Sequence, residues 1–342
     1  MSLRERLHSR ATRMRHGTVL VAGGAGFVGS QLVRELVADD ARVVVLDNFQ
    51  TGGRANLAEV ERRIEIVVGD LLDEWCVLEV FRRVRPTHVF NLVGETFVPA
   101  VYDAPKRFLR TNVEGHLNLL MACRQFDVVR VVHASSAEVY GHPEHGPVRE
   151  DHPLGAANTY AVTKLAADRL CATMHAEHGV PVSIARLFNA YGPRETEPYV
   201  IPEIIAQLHA GGPLVLGDLD ARRDYTYVED TARGLLALMR SELGPGRAVN
   251  IGSNSSHSVR EIAEMLAVLM DRPLELRVDP ARLRRQEIAH LQADASLLRA
   301  HGWAPRVPLR EGLERTVRWF ADNGHRWPWQ DRVLGTFVSR RD

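Results

Sequence analysis

The sequence predicts an α/β fold: a doubly wound parallel sheet with a smaller C-terminal lobe. Three observations predict it. Short β-branched apolar runs alternate with stretches of helical spacing through the first 190 or so residues. A glycine-rich turn joins the first such run to the first helical stretch. After about Gly192 the alternation gives way to chain punctuated by Pro193, Pro198, Pro202 and Pro213. Strands covered by helices on both faces read as near-continuous apolar runs, and such runs are what the N-terminal half contains.

The elements follow in order. Thr18-Val19-Leu20-Val21-Ala22 is an apolar run ending in glycines, and Phe27 to Ala38 has Val28, Leu32, Leu36 and Val37 at helical spacing. Further strand-like runs are Arg42–Asp47, Ile64–Asp70, His88–Val93, Val129–Ala134 and Val182–Leu187. Helices are expected over Lys106–Gln125 and Thr159–His178, then at Glu229–Arg240, Val259–Met270 and Arg310–Ala321. No repeat or low-complexity linker interrupts the pattern, so the C-terminal part reads as a lobe wrapped onto the first domain.

Global composition excludes several classes of function. The chain has 342 residues, with 43 acidic and 43 lysine or arginine side chains. That balance gives no attraction to nucleic acid or to a membrane surface. No apolar run approaches a membrane span. Cys76, Cys123 and Cys171 are scattered and odd in number, so reduced thiols in a cytoplasmic protein are expected. Residues 1–16 are basic without the apolar stretch of a secretory signal and read as an N-terminal extension.

Gly23-Gly24-Ala25-Gly26-Phe27-Val28-Gly29 carries Gly-x-x-Gly-x-x-Gly between a strand and a helix. Glycines there permit a tight turn, close approach of backbone to a pyrophosphate and close helix–strand packing, and the helix N-terminus offers free N–H groups. This is the context of the Rossmann dinucleotide fingerprint. Asp47 ends the second strand about twenty residues on; a carboxylate there accepts ribose hydroxyls and repels a 2′-phosphate, which favours NAD over NADP. Asp70 ends the third run, where it could accept from the adenine amino group or simply close a turn. Residues 17–190 are therefore expected to form the NAD-binding domain, also receiving about 226–252. Residues 191–225 and 253–325 form the second lobe, and 326–342 a tail.

Tyr160-Ala161-Val162-Thr163-Lys164 adds chemistry to the predicted helix. Lys164 is one of only two lysines among 43 basic residues. A compact ammonium reaches a cofactor ribose and lowers a phenol's pKa in a way a guanidinium does not. Positions i and i+4 share a helix face, so the two side chains can act together.

With these pieces in place the chain resembles an extended short-chain dehydrogenase/reductase of the nucleotide-sugar epimerase/dehydratase branch, from Gly17 to about Asn323. The resemblance rests on Gly23–Gly29, Asp47-Asn48, Gly69-Asp70-Leu71, Thr111-Asn112-Val113, Ser135-Ser136-Ala137-Glu138-Val139-Tyr140-Gly141 and Tyr160–Lys164. It continues through Arg186–Pro193, Arg223-Asp224-Tyr225-Thr226-Tyr227-Val228 and Asn250-Ile251-Gly252. It implies NAD as cofactor, held by Gly23, Gly26, Phe27, Val28, Gly29, Asp47, Asn48, Asp70, Leu71, Leu92, Val93, Tyr160 and Lys164. It implies a nucleotide-diphosphate sugar as substrate. Tyr160 would take the proton of the sugar 4-hydroxyl, Ser136 would hydrogen-bond the same hydroxyl, and Asn112 would steady the sheet. Asn189, Arg223 and Arg285 would meet the diphosphate, and Leu214-Val215-Leu216 would lie along the base. Where the family usually has His-Leu-Ala-Ala, this chain has Asn91-Leu92-Val93-Gly94, and Glu95-Thr96-Phe97-Val98-Pro99 follows in the region expected near the hexose, with Thr96 the contact there.

The resemblance leaves the reaction open among three. Relatives that remove the C5 proton after oxidation at C4 carry glutamate two residues after the serine, as Glu138 stands here, whereas simple 4-epimerases usually have a small or hydroxylated residue. A 4-ketone acidifies C5–H, and a carboxylate can take that proton. This makes an NDP-sugar 4,6-dehydratase the first reading. Ala137 stands where many such enzymes place an aspartate to protonate the leaving hydroxyl, so Glu138 would have to serve both steps. A UDP-glucuronate decarboxylase shares Ser-x-Glu-Val-Tyr-Gly, and a 4-epimerase is the third reading. A non-catalytic NAD-sensing module is a different class, and intact Ser136, Tyr160 and Lys164 argue against it. No metal is implied: His133, His142, His145 and His152 lack zinc-ligand spacing. Helices over Lys106–Gln125 and Thr159–His178 resemble those of a four-helix homodimer interface in this family.

Overall fold

The structure is a computed structural model that describes residues 17–144, 146–284 and 286–331. Its strands are β1 (Thr18–Ala22), β2 (Arg42–Asp47), β3 (Ile64–Val68), β4 (His88–Asn91), β5 (Arg130–Ser136), β6 (Val182–Leu187), β7 (Asn189–Tyr191), β8 (Leu214–Leu216), β9 (Arg222–Tyr227), β10 (Ala248–Ile251), β11 (Ser256–Ser258), β12 (Leu276–Val278) and β13 (His290–Leu291). Seven of them form one parallel sheet in the order β10-β6-β5-β4-β1-β2-β3. The order reverses between β1 and β4, and in open α/β sheets the crevice at the carboxyl ends beside such a switch point takes the ligand.

The period-2 rule divides β1 between two cores. Val19 and Val21 pack with Leu32, Leu36, Leu235 and Met239 on one face. Leu20 and Ala22 pack with Phe81, Leu120 and Cys171 on the other. Helices Phe27–Ala38 and Val228–Arg240 cover the first face; Glu74–Val84, His116–Gln125 and Thr159–His178 cover the second. A third core, around Ile204, Ile205, Leu266, Leu313 and Phe320, belongs to the C-terminal lobe. There β9 pairs with β7, β11 and β13, while β8 pairs with β12.

One element departs from the sequence expectation. The helix expected over Lys106–Gln125 starts at Pro105 and widens into a π-turn over Arg110–Gly115. The wider turn lets Asn112 reach the next element: Asn112 Oδ1 accepts from Glu95 N at 2.8 Å, and its Nδ2 donates to Glu95 O at 3.0 Å and Thr163 Oγ1 at 2.9 Å. Such bulges recur beside functional sites. No helix among the described residues is long and apolar enough to cross a membrane. The N-terminal extension, and the tail beyond residue 331, lie outside the described residues.

Candidate active site

The glycine-rich turn meets its requirements in atomic terms. Gly23 has φ +78°, and a Cβ there would lie 2.8 Å from Leu92 C and Val93 N. A Cβ on Gly29 would lie 2.0 Å from Gly23 O, so the helix can approach the turn only as glycine. The helix begins at Phe27 with Gly26 as N-cap, no side-chain cap and no acid in its first turn; Phe27, Val28 and Gly29 form that turn. Its positive end is thus available to an anion.

A cleft opens beside the turn, lined by Gly23, Gly26, Asp47, Asn48, Asp70 and Leu71, and by Leu92 and Val93 on the β4 side. Asp47 also organises the loops: its Oδ2 accepts from Ala25 N and its Oδ1 from Phe49 N, both at 2.8 Å. Burial raises the pKa of this carboxyl, and the two backbone donors oppose that shift. Asp70 Oδ2 accepts from Asn48 Nδ2 at 2.8 Å, and its Oδ1 closes a turn onto Leu72 N at 2.9 Å. Glu95 opens the stretch expected near the hexose. It lines this cofactor cleft, where its Oε1 accepts from Gln50 Nε2 at 3.3 Å and its Oε2 lies 3.1 Å from Arg107 Nη2.

The candidate catalytic residues converge where β5 ends. Ser136 is the last residue of β5, and its Oγ accepts from Glu138 N at 3.2 Å. Tyr160 is buried at the start of the Thr159–His178 helix. Burial pushes its phenol far up, the nearby Glu138 carboxylate adds to that, and a hydrogen bond with Ser136 opposes it. Positive charge must therefore face the ring before it can act as base. Lys164 is buried with its Nζ donating to Ala134 O at 3.0 Å. Burial lowers its pKa to about 8, and Asp168 one turn on opposes that fall. Asp168 is in turn paired with Arg186 of β6 at 2.9 Å, both side chains buried. Lys164 keeps its charge below about pH 8 and loses it above. We expect kcat/KM to fall as pH rises through that value, measured as a pH–rate profile, since this parameter reports the free enzyme's groups.

Glu138 stands beside Tyr160 on the turn Ala137–Tyr140. Its Oε2 accepts from Asn158 Nδ2 at 2.7 Å, and its Oε1 lies 3.6 Å from Arg284 Nη1. Arg284 also faces Glu287 at 3.7 Å, and Glu287 pairs with Arg223. Arg285 lies outside the described residues; its neighbour Arg284, which sequence reasoning missed, is the guanidinium brought into the site. A run of arginines gives no local signal that Arg284 reaches Glu138. Thr96 Oγ1 meets Tyr199 OH at 2.6 Å across the two lobes. Asn189 is exposed and opens β7, in register with Tyr225. Leu214 and Leu216 are buried in the lobe core, which leaves Val215 and the strand's backbone as the part of β8 that a ligand could meet. Gln207 already brackets Val215, accepting from its N at 2.8 Å and donating to its O at 3.1 Å.

Known proteins share this arrangement over nearly the whole chain. The profile of the GDP-mannose 4,6 dehydratase family matches residues 20–316. The dTDP-glucose 4,6-dehydratase of Xanthomonas campestris pv. campestris is 33% identical over 336 residues, covering 90% of this chain and 93% of that one. UDP-glucuronic acid decarboxylase 1 of Xenopus tropicalis is 34% identical over 316 residues, covering 88% and 72%. The crystal structure of Thermus thermophilus UDP-glucose 4-epimerase in complex with NAD superposes with a TM-score of 0.82 at 34% identity, covering 89% and 99%.

The chain belongs to the nucleotide-sugar epimerase/dehydratase family of extended short-chain dehydrogenases/reductases.

As a member of this family it is an NAD-dependent enzyme, and its departure at Asn91–Gly94 takes on physical meaning. Asn91 Oδ1 accepts from Val93 N at 3.1 Å, and its amide lies 2.9 Å from His116 Nδ1. A Cβ on Gly94 would come within 3.0 Å of Lys164 Nζ. Beneath the lysine, His116 and His133 stack with centroids 3.9 Å apart, and His116 Nε2 meets Cys171 Sγ at 3.1 Å. Among the described residues this trio is the one group of three whose ligand atoms lie close enough to hold a metal ion. The chemistry disfavours it. Stacked rings do not converge their lone pairs on one point, and the neighbouring ammonium opposes a cation. Burial lowers His116 to about 3, takes His133 well below its usual range and raises the Cys171 thiol well above its own. The trio thus packs in neutral form under Lys164.

Proposed function

We propose that this enzyme is an NDP-sugar 4,6-dehydratase. The observation that carries the reading is the Glu138 carboxylate, held beside Tyr160 by Asn158 where the C5 proton of a 4-keto sugar would lie. The cleft fits NAD on its own geometry: the Gly23/Gly29 cradle admits no side chain, and Asp47, Asn48, Asp70, Leu92 and Val93 line the rest. When bound, NAD supplies the acceptor, and later the donor, of one hydride.

The chain's own residues do the proton work. Lys164 holds positive charge under the ribose side, Ser136 fixes the 4-hydroxyl, and Tyr160 takes its proton. Glu138 removes the proton at C5. Ala137 is buried and apolar, so Glu138 also returns a proton, to the departing 6-hydroxyl, which leaves as water. That proton is the one taken from C5, so C5 must regain a proton as C6 receives the returning hydride. The proton Tyr160 took from the 4-hydroxyl balances it, and the net loss is one water. Arg223 and Arg284 present guanidinium groups suited to a diphosphate. A panel of nucleotide sugars with product masses tests the reading: loss of water is expected. Arg284 at Glu138 favours a second reading, since a guanidinium there could meet a hexuronate carboxylate; loss of carbon dioxide would select it.

The cofactor is restored within each turnover, so it need not dissociate. NAD, not NADP, is expected in the supernatant after denaturing purified protein. NADP, or no dinucleotide even after soaking with NAD, would count against the roles of Gly23–Gly29 and Asp47. We also read the enzyme as a homodimer. Leu109 and Val162 are more than half exposed on the paired helices, at 54% and 53%. Leu109→Glu should convert a dimer to monomer in size-exclusion chromatography with light scattering; a wild type that elutes as a monomer removes the proposal.

A further inference from the structure

Asn158 makes two hydrogen bonds that serve different ends. Its Oδ1 accepts from Ala161 N at 2.9 Å, which caps the Thr159–His178 helix. Its Nδ2 donates to Glu138 Oε2 at 2.7 Å. The cap needs only an acceptor oxygen, and serine, threonine or aspartate supplies one about as well. The amide does both from two atoms, its oxygen accepting from the helix and its nitrogen donating to the carboxylate on the neighbouring turn. A serine hydroxyl has one shorter atom for both, and an aspartate has no proton to donate.

The surroundings leave Glu138 dependent on that amide. Its backbone is held by Ser136 Oγ, which fixes the turn but not the carboxylate. Its other oxygen faces Arg284 at 3.6 Å, beyond hydrogen-bond length, and Arg284 divides itself between Glu138 and Glu287. Ala137 contributes no polar group. Asn158 lies two residues before Tyr160, so the contact ties Glu138 to the helix end that carries the other base.

We infer that Asn158 is a positioning residue: through its amide it sets the Glu138 carboxylate against the C5 proton, in fixed relation to Tyr160. The inference rests on the reading of Glu138 as C5 base. A charged oxygen held by an N–H donor at 2.7 Å is a strong, directional contact. Displacing a reacting group by about 1 Å can cost about 10²-fold in rate.

The test uses Asn158→Ser and Asn158→Asp in the full-length enzyme. Both keep the cap; serine is too short to reach Glu138, and aspartate has no proton to give it. Both variants should melt close to wild type. Both should form reduced-nicotinamide absorbance on mixing with substrate at the wild-type rate, because Tyr160, Lys164 and Ser136 are untouched. Water loss should slow about 10²-fold, and substrate deuterated at C5 should show a larger isotope effect on turnover than in wild type. Dehydration at the wild-type rate in both variants would reduce Asn158 to a cap and overturn the inference. So would an equal slowing of C4 oxidation and water loss, or a large fall in melting temperature in both variants, since each is the mark of a helix support. Wild-type enzyme gives the separate reading: if it exchanges no deuterium at C5 in heavy water with any nucleotide sugar it turns over, the role of Glu138 itself is wrong.

Discussion

Tyr160→Phe is expected to remove nearly all turnover and leave nucleotide-sugar binding largely intact. The phenol oxygen is the only atom lost, and the ring stays packed edge-on against Phe108, with centroids 6.3 Å apart. No cavity opens. The ring's hydroxyl is buried and shares its proton with Ser136, so fold stability should shift by no more than about 1 kcal/mol, the net worth of one hydrogen bond. The chemical cost is larger. A phenol of ordinary pKa near ~10 is about one part in a thousand ionised at neutral pH, and burial here pushes it further up. Its work as base depends on Lys164 and a positively charged ring opposite it, and phenylalanine retains nothing of that function. A positioned general base typically contributes about 10²–10⁴-fold. Steady-state rates with the substrate found by the mass panel measure the loss, and calorimetric titration measures the binding. The lobe groups Asn189, Arg223 and Arg284 are untouched, so the dissociation constant should move little. Near-normal turnover would remove both Tyr160 and Lys164 from the mechanism.

The parts of this enzyme legible in sequence are those that obey a local rule. Six of the seven strands of the main sheet read as apolar runs whose ends fall within two residues of expectation, most of them because both faces are buried. The exception, β10, is only four residues long and is not among the runs read as strands. The Thr159–His178 helix is announced at both ends, by Asn158 as cap and by Gly179 at φ +69°. The glycine turn is legible because its geometry permits little else. What was not legible depends on the third dimension. The π-turn at Arg110–Gly115 has no local signature; it exists because Asn112 must reach Glu95 and Thr163 from across the fold. Glu95 and Thr96 are neighbours in sequence, yet Glu95 lines the cofactor cleft and Thr96 meets Tyr199. Arg284 stands in an arginine-rich stretch, and nothing local marks it as the residue that faces Glu138. Leu214 and Leu216 read as ligand contacts but face the lobe core, because a strand presents alternate residues to opposite sides. Asp168 reads as an ordinary helix residue and Arg186 as the start of a family motif; that they form a buried pair beside Lys164 follows only from the fold.

Glu138→Gln decides the reaction. The substitution keeps the shape of the side chain and an oxygen for Asn158 to donate to, and removes the group that accepts the C5 proton. Oxidation at C4 depends on Tyr160, Ser136 and Lys164 and should survive, so reduced-nicotinamide absorbance should build up on mixing with substrate. Release of a 4-keto-6-deoxy product should fall by at least the ~10²–10⁴-fold of a general base. It should fall towards the upper end, because Ala137 leaves no second carboxylate to take over either proton step. Wild-type enzyme run in heavy water should place deuterium at C5 of the product, and the variant should not. The three reactions separate on the same two measurements. A dehydratase loses water and labels C5, a decarboxylase loses carbon dioxide from a hexuronate, and a 4-epimerase changes neither mass nor C5. If Glu138→Gln turns over normally and C5 stays protiated, the carboxylate is structural, its bond to Asn158 merely steadies the turn, and the chain is a 4-epimerase.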